Sequence, residues 1–126
     1  MKAPCHAVIW YLLPAIGMEL ARELVRRGMP QKEVAKRLGI TPAAVSYYVK
    51  GARGAEVKLR GKTLKRIHEL ASDIERGKAD GARIQSAICG ICRIAWSEHI
   101  VCAQYKRLGG GCSVCALCDG GDKVRT

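Results

Sequence analysis

The sequence is poor in aromatic residues and lacks any long apolar run. Among 126 residues there is no Phe, and aromatic side chains make up only 5% of the chain. Aromatic and β-branched residues favour strands, so this composition argues against a large all-β sandwich. No uninterrupted apolar segment reaches the roughly 18 residues that a membrane-spanning helix needs. We therefore expect no membrane association and a cytoplasmic location.

The motifs of common catalytic sites are also missing. The chain has no phosphate-binding glycine loop, no Gly-x-Ser-x-Gly nucleophile turn and no zinc-protease helix motif. A Cys-x-x-Cys pair is present, but the βαβ context of a thioredoxin-like redox site is not. We expect a protein that is not an enzyme.

Positive charge and cysteine are abundant, and they occupy different parts of the chain. The net charge is +11, and residues 1–83 hold 17 Lys/Arg against 8 Asp/Glu. Six of the seven cysteines lie from Cys89 onward, beyond a hinge-like segment at residues 77–81. We predict a basic domain over residues 1–78 and a cysteine-rich tail over residues 79–126. The basic half favours a polyanionic partner, of which nucleic acid is the commonest.

Residues 31–50 carry the pattern of a helix-turn-helix. Apolar residues repeat at helical spacing in two blocks, which are Val34, Ala35 and Leu38, then Val45, Tyr48 and Val49. Gly39 stands between the blocks, where a positive φ would end the first helix. Thr41 is placed to cap the second helix and Pro42 to open it. The spacing also predicts that Tyr48 packs inward.

This segment resembles the phage-repressor/Cro-like XRE family of helix-turn-helix regulators. The resemblance covers about residues 16–75, and the cysteine tail is similar to that of one archaeal branch of the family. It implies an all-α bundle of four or five helices that acts as a homodimer on palindromic double-stranded DNA.

A further amphipathic helix is predicted over residues 63–76, with His68 at the boundary of its apolar face.

Contacts to DNA can be assigned from the chemistry of each position. Gln31, at a helix N-terminus, can hold a phosphate together with backbone N–H groups. Small side chains suit thymine methyl groups, and hydroxyls suit base edges or phosphates. The predicted DNA-binding residues are Gln31, Thr41, Pro42, Ala43, Ser46, Tyr47, Lys50, Arg53, Lys58 and Arg60.

The tail has the spacing of a metal or cluster site. Its pattern is Cys-x2-Cys, nine residues, Cys, nine residues and Cys-x2-Cys-x2-Cys. A Cys-x-x-Cys turn lets two thiolates converge on one metal, and Gly90 would give that turn its freedom. A short tail with few large apolar residues also needs a bound metal or a similar cross-link in order to fold. The candidate ligands are Cys89, Cys92, Cys102, Cys112, Cys115 and Cys118.

Three states of these cysteines remain open at this point. A structural Zn²⁺ needs four of them. A [4Fe–4S] cluster fits the compact run that ends at Cys118, although the proline that usually follows is absent. Disulfides are the third state and are rare in reducing cytosol.

These patterns favour a DNA-binding transcriptional regulator whose tail is structural or senses redox or metal state. The alternative is a zinc-tailed protein-interaction or RNA-binding adaptor with incidental DNA affinity.

Overall fold

The computed structural model describes residues 8–52, 55 and 57–101. In this part of the chain the secondary structure is entirely helical, which agrees with the predicted all-α class. A π-helical segment, Val8–Leu12, leads into α1 (Leu13–Arg26). The helices that follow are α2 (Gln31–Leu38), α3 (Pro42–Lys50), α4 (Gly61–Glu75) and α5 (Gly81–Ser97). None of the helices described is long and apolar enough to cross a membrane.

Helix α1 lies at the centre of the fold, because it packs against α3 and α4 and also touches α2. Its inward face repeats at three- and four-residue intervals, and Ile16, Leu20 and Leu24 are almost completely buried. Helix α4 presents Ile67, Leu70 and Ile74 to the same core. The predicted helix over residues 63–76 is confirmed and begins two residues earlier, at Gly61.

Helix α5 packs on α4 and contributes to the same hydrophobic core. Ile84, Ile91 and Ala95 are buried, as are Ile100 and Val101 just beyond the helix. The turn before α5 contains Gly77, the first residue of the hinge-like segment, whose φ is 73°. The division of the chain at residues 78 and 79 stays a prediction, since residues 102–126 lie outside the described residues.

Three side chains tie helix ends to distant parts of the fold. Arg22 Nε donates to the Val49 carbonyl at the end of α3 over 3.1 Å. Arg37 Nη1 donates to the Ile74 carbonyl at the end of α4 over 2.9 Å. Cations are stabilising there because a helix C-terminus carries partial negative charge. The third is Glu98, whose carboxylate caps the opposite, N-terminal end of α4.

Candidate nucleic-acid interface

The turn between α2 and α3 has the geometry that the sequence predicted. Gly39 adopts a φ of 67°, and the Ile40 N–H returns to the Ala35 carbonyl over 3.0 Å. This left-handed closure ends α2 and redirects the chain. Thr41 then caps α3, because its Oγ1 accepts from the Ala44 N–H over 3.1 Å. Pro42 opens α3 at a position that needs no N–H donor.

Helix α3 is fixed by its inner face. Val45 is completely buried, and Tyr48 is half-buried against the core, which confirms the prediction that Tyr48 packs inward. The Tyr48 ring covers Gly17 of α1 so closely that a Cβ there would lie 2.9 Å from Cζ. Glycine at position 17 therefore lets α3 approach α1 closely. The opposite face of α3 points away from the core.

Five of the ten residues predicted to contact DNA belong to α3. Ser46 is half-buried, and Tyr47 exposes 51% of its surface. The N-cap residue of α2 is Pro30, whose side chain makes no capping hydrogen bond, so the N–H groups of the first turn can bind an anion. The Thr41 hydroxyl caps as an acceptor and can still donate its proton. The other exposed members of the predicted set near the turn are Gln31, Thr41, Pro42, Ala43 and Lys50.

The basic segment after α3 is described only in part. Lys58 and Arg60 are both exposed. Arg60 Nη2 also donates to the Glu98 carbonyl over 3.0 Å, so this guanidinium already has one protein partner. Arg53 lies outside the described residues.

Sequence reasoning missed side chains that support or extend this surface. Lys32 and Lys36 are exposed on α2 and add positive charge beside Gln31. Arg22 holds the end of α3, but its partner lies 27 residues away, so no local spacing marks it. The ion pair between Arg37 and Glu33, at 2.8 Å, was readable from its four-residue helical spacing. The hydrogen bond from Arg37 lowers the pKa of Glu33.

Cys89 and Cys92 lie on a helix rather than in the predicted turn. Both belong to α5, and Gly90 between them continues the helix. Side chains three residues apart are neighbours on a helix, so the two thiols share one face. Cys89 is exposed and Cys92 is half-buried. Burial raises the pKa of the Cys92 thiol to about 11, and the neighbouring Cys89 contributes to the rise. The candidate ligands Cys102, Cys112, Cys115 and Cys118 lie outside the described residues.

Residues 18–70 match the family model described as Helix-turn-helix. The match begins inside α1, ends inside α4 and contains the whole α2–turn–α3 unit. It supports an XRE-type helix-turn-helix of a DNA-binding regulator. Comparison with curated proteins and with solved structures finds no match. The archaeal branch and the metal-binding tail stay predictions.

Proposed function

We propose that this protein is a sequence-specific regulator of transcription that binds double-stranded DNA as a homodimer in the cytoplasm. The observation that carries the proposal is the two-sided character of α3. Its inner side is locked by Val45 and Tyr48, while small and polar side chains face outward. A helix that enters the major groove needs this combination.

The outward residues divide into positioning and reading groups. Gln31 and the open first turn of α2 hold one phosphate, and Lys50 holds another. Pro42 and Ala43 contact thymine methyl groups, because they offer no hydrogen bond. Ser46 and Tyr47 reach base edges or phosphates. The three basic residues that follow on the chain grip the flanking backbone, and these are Arg53, Lys58 and Arg60.

Few bidentate hydrogen-bonding side chains stand at the start of α3, so direct base reading is limited. Specificity then depends on methyl contacts and on the shape and deformability of the operator. A homodimer doubles the contacts and sets the spacing of two half-sites about one helical turn apart. The resemblance to the XRE family supports this symmetry.

The cysteine tail holds either Zn²⁺ or a [4Fe–4S] cluster in this proposal. The described pair fits such a group, because Cys89 and Cys92 share a helix face and at least one thiol is exposed. The remaining ligands come from Cys102, Cys112, Cys115 and Cys118. Zn²⁺ would supply a structural staple, and a cluster would also supply redox sensitivity. Anaerobic purification with metal analysis separates them, since a cluster gives brown protein and zinc gives colourless protein.

Fluorescence anisotropy with labelled duplexes tests the DNA-binding proposal. We expect affinity to fall steeply with salt, because the protein displaces counterions from the phosphates. Lys50→Ala should weaken binding to specific and non-specific duplexes alike and reduce the salt slope by about one phosphate contact. Lys78→Ala is the matched control, because Lys78 is an exposed lysine in the turn between α4 and α5.

Two results would reject the proposal. One is equal weakening by Lys78→Ala and Lys50→Ala, which would mean that only net charge matters. The other is tighter binding to single strands or RNA than to duplex DNA, which would favour the adaptor with incidental DNA affinity.

A further inference from the structure

A group of potential metal ligands, none of them a cysteine, lies between α1 and α4. Glu19 and Glu23 are four residues apart on α1, and His68 faces them from α4. One carboxylate oxygen of each glutamate and a ring nitrogen of His68 all lie within 4.8 Å of one another. His68 Nε2 is 2.9 Å from Glu19 Oε1 and 3.9 Å from Glu23 Oε1. Sequence analysis had treated His68 only as a boundary residue.

The buried carboxylate of Glu23 is the observation that points to a ligand. Its side chain is 10% exposed, yet Oε1 is fully buried and accepts no hydrogen bond. The guanidinium of Arg26 lies 2.8 Å from this oxygen as an ion pair, and the Arg26 side chain is 66% exposed. A buried acceptor without a hydrogen bond is costly, and a metal ion that took the place of Arg26 would bond directly to Oε1.

The surroundings hold Glu23 in the orientation that a metal site needs. Arg27 Nε donates to the other oxygen, Oε2, over 3.1 Å, so Oε1 is the oxygen that remains near His68 Nε2, at 3.9 Å. Arg27 is itself held by Glu75 through its Nη1 at 3.3 Å. Such outer partners commonly orient the ligands of metal sites.

We propose that Glu19, Glu23 and His68 form a binding site for one divalent first-row transition cation. Two carboxylates and one imidazole are donors that Mn²⁺, Fe²⁺ and Zn²⁺ accept. Donor atoms around one such ion lie about 3.4 Å apart for bonds of about 2.1 Å. His68 is 37% exposed at its side chain, so the ion can enter from solvent.

The bound ion would join α1 to α4, the two helices that flank the helix-turn-helix. This site shares no residue with the proposed DNA contacts or with the candidate cysteine ligands. Its ligands are hard or borderline donors, whereas thiolates select softer ions. The two kinds of site can therefore be distinguished by the choice of metal.

The test titrates the full chain, with its cysteines reduced, with Mn²⁺ alone. Free Mn²⁺ is followed by its electron paramagnetic resonance signal, and thiolates compete poorly for this ion. We expect one Mn²⁺ per chain, and at least about tenfold weaker binding in Glu19→Gln and in His68→Ala, as expected for loss of one ligand. Glu69→Gln is the control, since it removes the same charge at an exposed position next to His68.

Absence of binding by the unaltered protein would overturn the proposal, as would equal weakening in Glu69→Gln. A second readout needs no substitution and so does not depend on the folding of a variant. Mn²⁺ broadens nuclear magnetic resonance signals near it, and the chain has three histidines. The His68 ring signals should broaden first, and earlier broadening of His6 or His99 would contradict the site.

Discussion

Glu98 supplies the cap of a helix that begins 37 residues earlier, and its removal should destabilise the whole fold. Its carboxylate accepts from the Lys62 N–H over 3.0 Å and from the Thr63 N–H over 2.9 Å. It also accepts from Thr63 Oγ1 over 2.5 Å, and Thr63 is completely buried. Position 61 adds a constraint, because a Cβ on Gly61 would overlap Glu98 Oε2.

The expected cost of Glu98→Ala can be worked from these contacts. Loss of an N-terminal cap costs about 1 kcal/mol. The buried Thr63 hydroxyl also loses its hydrogen-bond acceptor, which costs at least about 1 kcal/mol more. Because Glu98 itself is only half-buried, we use the lower value for the loss of the Thr63 hydrogen bond. The expected destabilisation by Glu98→Ala is then about 2 kcal/mol in total. For a domain of this size the melting temperature should fall by about 6 to 10 °C.

The pH dependence gives an independent check on the same carboxylate. Partial burial opposes its ionisation, but hydrogen bonds from Thr63 and Lys62 and the charge of Arg60 outweigh burial and lower the pKa of Glu98. A carboxyl whose pKa is lowered on folding stabilises the protein above its unfolded pKa. The difference in stability between native protein and Glu98→Ala should be complete near pH 7. It should shrink as pH falls below the ordinary glutamate value of 4.5 and through the lower folded pKa.

Urea unfolding followed by circular dichroism measures these quantities. The cycle of Glu98→Ala, Thr63→Val and the double variant isolates their coupling, which we expect at about 1 kcal/mol. A loss below about 0.5 kcal/mol for Glu98→Ala would refute the reasoning, since surface substitutions reach that size without any cap. A stability difference that stays constant down to about pH 3 would refute the electrostatic part.

Three further predictions concern the helix-turn-helix and the described cysteines. Gly39→Ala should cost about 1 to 2 kcal/mol in urea unfolding, because the φ of 67° is unfavourable for any residue with a Cβ; an unchanged midpoint would contradict this. Arg22→Met keeps the aliphatic stem but loses the bond to the Val49 carbonyl, so we expect about 1 kcal/mol of destabilisation and weaker duplex binding. In metal-free protein near pH 8, iodoacetamide should modify Cys89 faster than Cys92, since a pKa of about 11 leaves roughly one Cys92 thiol in a thousand ionised. Peptide mass spectrometry reads the order of modification, and faster reaction at Cys92 would contradict it.

The helix-turn-helix could be predicted because its determinants are local. Gly39, Thr41 and Pro42 act within three or four residues of their own positions, and the structure shows each in its expected role. The buried residues of α4 likewise repeat at the spacing of a single helix. In both cases one short segment contains the cause and the effect.

The missed features join residues that are far apart in sequence. Glu98 acts on Thr63 across 35 residues, and His68 meets Glu19 across 49. None of these side chains stands out in its local sequence, so no periodicity identifies the partner. The Cys89-x-x-Cys92 pair is a different case, because a local pattern predicted a turn where the structure has a helix. The spacing suits both a metal-binding turn and one face of a helix, and the apolar positions Ile84, Ile88 and Ile91 around it decided for the helix.

The two arginine bonds at helix ends bear on how any signal could control this protein. Arg37 of α2 bonds to the Ile74 carbonyl, while the Val49 carbonyl of α3 is held by Arg22 of α1. With Val45 sealed between the helices, a change in the angle between α2 and α3 would break both bonds and expose apolar surface. Displacement of the four helices α1 to α4 together, as one rigid unit, costs none of these contacts. In the proposed homodimer, control of operator affinity is therefore easiest through the distance and orientation between two such units, at the junction of the two copies.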